Sequence, residues 1–174
     1  MSSDNYATPK AIFACLDNEF HFNFDVCAEP HTTKCSRYWS KKDDALSKYW
    51  VDDLPIEVKA NKRKWLWCNP PYSNITPWVK KASEAQRNGV GVVMLVMADP
   101  SVQWFKNALK TVSEVRFIHG RISFLDKHGN AVNGNNKGSC IFVFDPCRLG
   151  TRHVSFVDRQ DMIDRGLAAY GCMP

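Results

Sequence analysis

The chain has 174 residues, 44% hydrophobic and 24% charged, which fits a single domain with a sizeable core and ordinary globular composition. No apolar run reaches membrane-span length and Met1-Ser2-Ser3-Asp4-Asn5 is no signal segment, so a cytoplasmic protein with no membrane and no obligate protein partner is expected. The formal charge of +5, from 23 basic and 18 acidic residues, is a modest excess compatible with a polyanionic partner, and an odd count of seven cysteines favours free thiols over a disulfide framework.

Thr8-Pro9 opens a helix over 10–16, with Pro9 at its first position. Residues 21–28 read as a strand in which Phe22, Phe24 and Val26 alternate with polar neighbours. Cys27, His31 and Cys35 are close in sequence, but no CxxC pair accompanies them and no metal is expected. Residues 40–49 are helical or irregular. Lys59, Lys62, Arg63 and Lys64 precede a short strand over 66–68. A helix follows over 76–87, with Trp78, Val79 and Ala82 on one side and Lys80 and Lys81 among its basic residues. The unbroken apolar run 90–97 is a central strand covered on both faces, and 102–109 is a helix whose Trp104 and Phe105 read as core. Residues 115–118, 122–125 and 140–144 complete the strands. The polar, glycine-rich stretch 126–138 is a mobile loop or long hairpin.

Strands alternating with helices imply an α/β fold, a mainly parallel sheet with helices on both faces. Ligands in such sheets bind beyond the carboxyl ends of the strands, near a reversal of strand order. Two stretches fall at strand ends: Asp25-Val26-Cys27-Ala28-Glu29-Pro30, and the more informative Trp65-Leu66-Trp67-Cys68-Asn69-Pro70-Pro71-Tyr72. In the second, Pro70 and Pro71 remove two backbone donors and hold the chain extended. The Asn69 amide and the Asn69 and Pro70 carbonyls remain as rigid acceptors, with the Tyr72 ring close by. That arrangement suits a flat, amine-bearing group.

Asn69-Pro70-Pro71-Tyr72 resembles the catalytic motif of methyltransferases that use S-adenosylmethionine to modify an exocyclic or amide nitrogen. In DNA adenine methyltransferases the first motif position is Asp or Asn. The resemblance implies that the Asn69 oxygen and the Pro70 carbonyl accept hydrogen bonds from the adenine amine while Tyr72 stacks on the base. The amine's lone pair is delocalised into the purine. Two fixed acceptors favouring a tetrahedral nitrogen localise it as the methyl group arrives, without a strong base.

Further short elements, in the same order, are similar to the phage-type DNA N-6-adenine methyltransferases (the Dam-like family). They are Tyr6-Ala7-Thr8-Pro9, Asp25-Val26-Cys27-Ala28, Asp44-Ala45-Leu46 with Trp50, Pro77-Trp78-Val79, Trp104-Phe105, Gly120-Arg121-Ile122-Ser123-Phe124 and Gly138-Ser139. The resemblance implies a Rossmann-like S-adenosylmethionine-dependent methyltransferase fold, although the usual glycines after the first strand are absent. It places Asp25, Cys27 and Ala28 on the methionine part of the cofactor, with Tyr6, Thr8 and Pro9 nearby, and Asp44 at the adenosine end. Read by themselves, Thr8-Pro9 could simply start a helix, and Asp43 or Asp44 could cap one. The stretch between Asp25 and Asn69 is too short for the full fold, so an abbreviated version is expected, with helices shrunk to loops.

The same reading makes DNA the partner, with a flipped-out adenine as substrate. Lys62, Arg63, Lys64, Lys80, Arg121, Lys127 and Lys137 are the candidates for phosphate contacts, although Arg121 could equally pair with an internal carboxylate. Without room for a separate recognition domain, base selection falls to 126–138 and 52–64, which implies a short or weakly defined site. Protection of a phage genome from nucleases, in the host cytoplasm, would follow from the family alone. Methylation of RNA bases or protein glutamine, and a non-enzymatic nucleic-acid-binding module, remain alternatives.

Overall fold

The computed structural model describes residues 6–132, 137–150 and 153–171. In chain order the elements are α1 (Lys10–Phe20), β1 (Phe24–Asp25), a 3-10 turn (Lys41–Asp43), α2 (Ile56–Lys59), β2 (Trp65–Cys68), α3 (Thr76–Arg87), β3 (Gly91–Met97), α4 (Gln103–Ala108), β4 (Glu114–His119), β5 (Ser139–Phe144), β6 (His153–Asp158) and α5 (Arg159–Gly171).

The strands form one six-stranded sheet in the order β1-β2-β3-β5-β4-β6. Only β5 runs against the others: its pairings with β3 and β4 are antiparallel, and the rest are parallel. The expected mainly parallel sheet is therefore observed. Its centre follows from side-chain alternation along β3 and β5. Val92, Met94, Val96, Cys140, Phe142 and Phe144 enter the core beneath α3 and α4. Val93, Leu95, Ile141 and Val143 enter the opposite core with Ile12, Phe13 and Leu16 of α1 and Met162 of α5. Each large side chain so buried stabilises the fold by about 1.5–3 kcal/mol.

Helix α1 starts after Pro9, which is its N-cap rather than its first residue, and runs four residues past the expected end to a left-handed cap at His21. Helix α3 has the expected bounds, with a proline in its first turn. Against α1, α5 comes so close that a Cβ on Gly166 would overlap the Ala11 carbonyl.

Three expectations need correction. The strand expected over 21–28 shrinks to Phe24–Asp25, because beyond it the outer neighbour is only an isolated bridge from Asp25 to Tyr38. Residues 122–125 are no strand: Leu125 makes single bridges to Ala7 and Ala131. The chain continues past β5 into β6, which pairs with β4 at the sheet edge, and then α5, neither of which periodicity had marked. Between Asp25 and Asn69 the helices are indeed reduced, to the 3-10 turn and the four-residue α2. Of 126–138, residues 133–136 lie outside the described residues. The part before them turns back tightly, with Asp126 N–H donating to the Asn130 carbonyl and Val132 N–H to the Phe124 carbonyl.

Candidate active site

Phe24 and Asp25 of β1 pair in parallel with Leu66 and Trp67 of β2, so the two sequence segments of interest leave the sheet side by side. Val26 N–H adds one more bond, to the Trp67 carbonyl at 3.0 Å. The strands then part, since Pro70 and Pro71 have no N–H with which to extend the ladder. A cavity of about 440 Å³ opens there. It lies at the sheet's edge, not at a reversal of strand order, because β1 is the edge strand and the loops and 3-10 turn that follow it form the outer wall.

Tyr6, Thr8, Asp25, Cys27, Ala28 and Asp44 of the expected cofactor set line this cavity, together with Asn69 and Pro71 of the motif. Pro9, Pro70 and Tyr72 do not line it. Trp39, Leu46 and Trp78 add apolar wall. Of these, Trp39 was missed by the sequence reading: it lies outside every periodic segment, and only its aromatic size was a signal.

Asp25 is the acidic pole of the cavity. It is 2% exposed and accepts N–H bonds from Cys27 and Lys34, each at 3.2 Å. Burial nevertheless outweighs those bonds and pushes its carboxyl up to about 6. Burial lowers the half-buried Lys34 amine, which Asp25 partly counteracts. The Cys27 and Cys68 thiols are raised by burial and stay protonated. Thr8 is 1% exposed, and its hydroxyl has no hydrogen-bond partner. Capping of α1 does not use that hydroxyl, since no side-chain cap bond is made there.

Asp43 and Asp44 both belong to the end of the 3-10 turn, with Asp44 as its C-cap. Asp43 closes a capping box with Ser40, while Asp44 follows in the left-handed region at φ 48° and lines the cavity. Asn69 donates from its side-chain nitrogen to the Tyr6 carbonyl at 3.0 Å. Tyr72 points its ring edge-to-face at Phe124, with centroids 6.0 Å apart. Its hydroxyl is buried towards Ser139, neither group making a full hydrogen bond, and burial raises its pKa. The residue as a whole is half-buried.

The basic residues divide between the two ends of the sheet. Arg121 follows the carboxyl end of β4, Lys127 is exposed on the 126–130 turn, and Lys137 precedes β5, which starts at the same end. Lys137 pairs with Asp99, just beyond β3, at 3.3 Å. Lys80 is exposed on α3, whose start follows the motif. Lys62, Arg63 and Lys64 are displaced from the site. They precede β2 at its amino end, about 13 Å of strand from Asn69. The stretch 52–64, expected to help select bases, finishes at that same far end. Adjacency to a strand in sequence says nothing about which end of it a residue occupies.

A DNA N-6-adenine-methyltransferase from Escherichia phage T1 is 30% identical over 164 residues, 84% of this chain and 65% of that protein's length. Another, from Haemophilus phage HP1, is 29% identical over 170 residues, covering 94% of this chain and 92% of that protein. A solved structure described as a predicted O-methyltransferase, from Agrobacterium tumefaciens, overlays on 87% of the chain and 85% of its own with 12% identity and a TM-score of 0.38, too loose to carry an argument. The family model for DNA N-6-adenine-methyltransferase (Dam) matches residues 1–169, and the chain belongs to that family.

Proposed function

We propose that this chain transfers a methyl group from S-adenosylmethionine to the N6 amine of adenine in DNA. The observation that carries the reading is that Asn69 shares one cavity with Asp25 and Thr8, far apart in sequence. Family membership favours DNA adenine over RNA, protein glutamine or a non-enzymatic binding module.

The cavity residues fit the cofactor on two grounds. The buried Asp25 carboxylate, raised by desolvation, suits a cationic amine, and the Thr8 hydroxyl is a buried polar group without a partner. When bound, S-adenosylmethionine supplies a methyl group on a positively charged sulfur. Asp25 holds the amino-acid end, with Cys27 and Ala28 forming wall beside it and Tyr6, Thr8 and Pro9 nearby. Asp44 serves the adenosine end, with apolar wall from Trp39 and Leu46.

The flipped adenine presents its amine to the Asn69 oxygen and the Pro70 carbonyl. These two acceptors would localise the nitrogen lone pair towards the methyl group that bound S-adenosylmethionine would supply; the sulfur would leave as a neutral thioether and the amine proton would pass to solvent. Tyr72, its ring held edge-to-face by Phe124, is the group that stacks on the base. Unpairing and unstacking cost a few kcal/mol, offset by phosphate contacts from Arg121, Lys127, Lys137 and Lys80. Base selection falls to the 126–138 loop, giving a short or weakly defined site.

The test is to incubate the protein with unmethylated DNA and S-adenosylmethionine, digest to nucleosides and analyse by mass spectrometry, with Asn69→Ala alongside. N6-methyladenine from the wild type only is the expected result. Folded wild-type protein that produces no methylated nucleoside would overturn the reading. Methylation profiled on random DNA separately tests base selection, and a defined site of six or more bases would refute the loop argument.

A further inference from the structure

The motif of this chain begins with an amide, Asn69, and the structure holds that amide in one sense. The first motif side chain faces a fixed acceptor. Asn69 Nδ2 lies 3.0 Å from the Tyr6 carbonyl oxygen. That carbonyl is not free to swing, because the next residue is tied on both sides: Ala7 N–H donates to the Leu125 carbonyl at 2.8 Å and Leu125 N–H to the Ala7 carbonyl at 2.9 Å. Ala7 and Thr8 are both buried. A carbonyl accepts but never donates, so it accommodates the NH2 end of an amide and opposes a carboxylate oxygen.

We infer that the Tyr6 backbone carbonyl is a positioning group that fixes the sense of the Asn69 amide, and that it makes this site require a neutral donor–acceptor side chain at position 69. The inference rests on Asn69 being the acceptor for the adenine amine. With its NH2 end held by Tyr6, the amide turns its oxygen to the other side. An ionised Asp at the same position has an oxygen against the Tyr6 oxygen and must rotate out of register. A protonated Asp does not: its O–H donates to Tyr6 and its carbonyl oxygen takes the place of the amide oxygen. The scaffold therefore predicts a carboxylic acid that works only with its proton on. Around this position the titratable and charged groups are Tyr6, Asp25 with the Lys34 amine beside it, Cys27, Glu29, Lys41 and Asp44 on the cavity wall, and Cys68 and Tyr72 within the motif's strand and turn. Asp25 lines the same cavity and couples to any carboxyl at position 69, so the stability comparison below is repeated in an Asp25→Asn background, where residue 69 titrates without it.

The experiment compares wild type, Asn69→Asp and Asn69→Ala in kcat at saturating cofactor and DNA between pH 5.5 and 8.5. Asn69→Asp should be about 100-fold slower than wild type at pH 8. That deficit should narrow by about tenfold per pH unit on acidification until the variant carboxyl is protonated. The Asn69→Ala deficit should not change with pH. Asn69→Asp with wild-type activity at pH 8, or with a deficit constant across the range, overturns the inference.

A second readout is independent of catalysis: urea stability of Asn69→Asp relative to wild type over the same range. A raised carboxyl pKa makes the variant lose stability progressively as pH rises. A gap that stays constant with pH means an ordinary carboxyl turned away from Tyr6, and refutes the contact. If the wild type does not methylate adenine, the proposed function fails while this arm still decides the Tyr6 contact.

Discussion

Asn69 and Tyr6 stand 63 positions apart, yet the Asn69 side-chain nitrogen donates to the Tyr6 backbone carbonyl at 3.0 Å. The N-terminal segment thereby touches the motif directly. Its next residue is bridged to Leu125, at the base of the turn that carries Lys127. The motif, the cavity wall and the turn that carries Lys127 are thus joined through a single strap. Removing the Asn69 amide altogether, by Asn69→Ala, should lower kcat by about 10²–10³. Calorimetry should find cofactor binding little changed.

Thr8→Val replaces a buried, unpartnered hydroxyl with a methyl of similar shape. The ligand-free protein should be as stable as wild type or more so by about 1 kcal/mol, because no hydrogen bond is lost. Cofactor affinity should fall about tenfold if the hydroxyl bonds the ligand. Urea denaturation and calorimetry on the same samples separate the two effects.

The Asp25 carboxyl is raised from 3.8 to about 6 by burial, so the folded protein holds this proton more tightly than the unfolded chain does. Its stabilising contribution is therefore complete at low pH and is lost as pH rises through about 6, a change of roughly 3 kcal/mol. Subtracting the stability curve of Asp25→Asn from that of wild type between pH 4 and 7.5 should expose this slope. Cofactor affinity should move the opposite way, rising to about pH 6 and flat above it, since a bound cationic amine needs the carboxylate ionised.

Lys127→Ala should weaken DNA binding at every sequence and reduce the slope of log affinity against log salt by about one unit. The double change Lys62→Ala and Arg63→Ala, at the opposite end of β2, should leave that slope unaltered. Titrations at several salt concentrations measure both. Equal effects would show that DNA reaches the amino end of the sheet.

Gly166→Ala tests packing far from the chemistry. Its Cβ would overlap the Ala11 carbonyl, so α1 and α5 must separate. A loss of about 1–3 kcal/mol in urea denaturation is expected. Unchanged stability would mean that the α1–α5 contact yields freely.

Local chemistry in the sequence determined the motif, the central strand and α3. Pro70 and Pro71 end β2 wherever it lies, the apolar run through β3 demands cover on both faces, and a proline in the first turn sets the start of α3. The ordered short elements also carried the family, since they depend on residue identity and not on contacts. Tertiary structure decided the rest. Residues 21–28 alternate like a strand, but a strand persists only where a neighbour takes its backbone bonds, and β1 has one for two residues. Strand β6 was invisible because it is an edge strand with Val154 and Phe156 exposed, so no burial pattern marks it. The basic cluster at 62–64 lies at the amino end of β2, away from Asn69, because strand direction is set by the sheet. The Tyr6 carbonyl that orients Asn69 carries no side-chain signature, since every residue has such a carbonyl and only the fold brings this one within 3.0 Å.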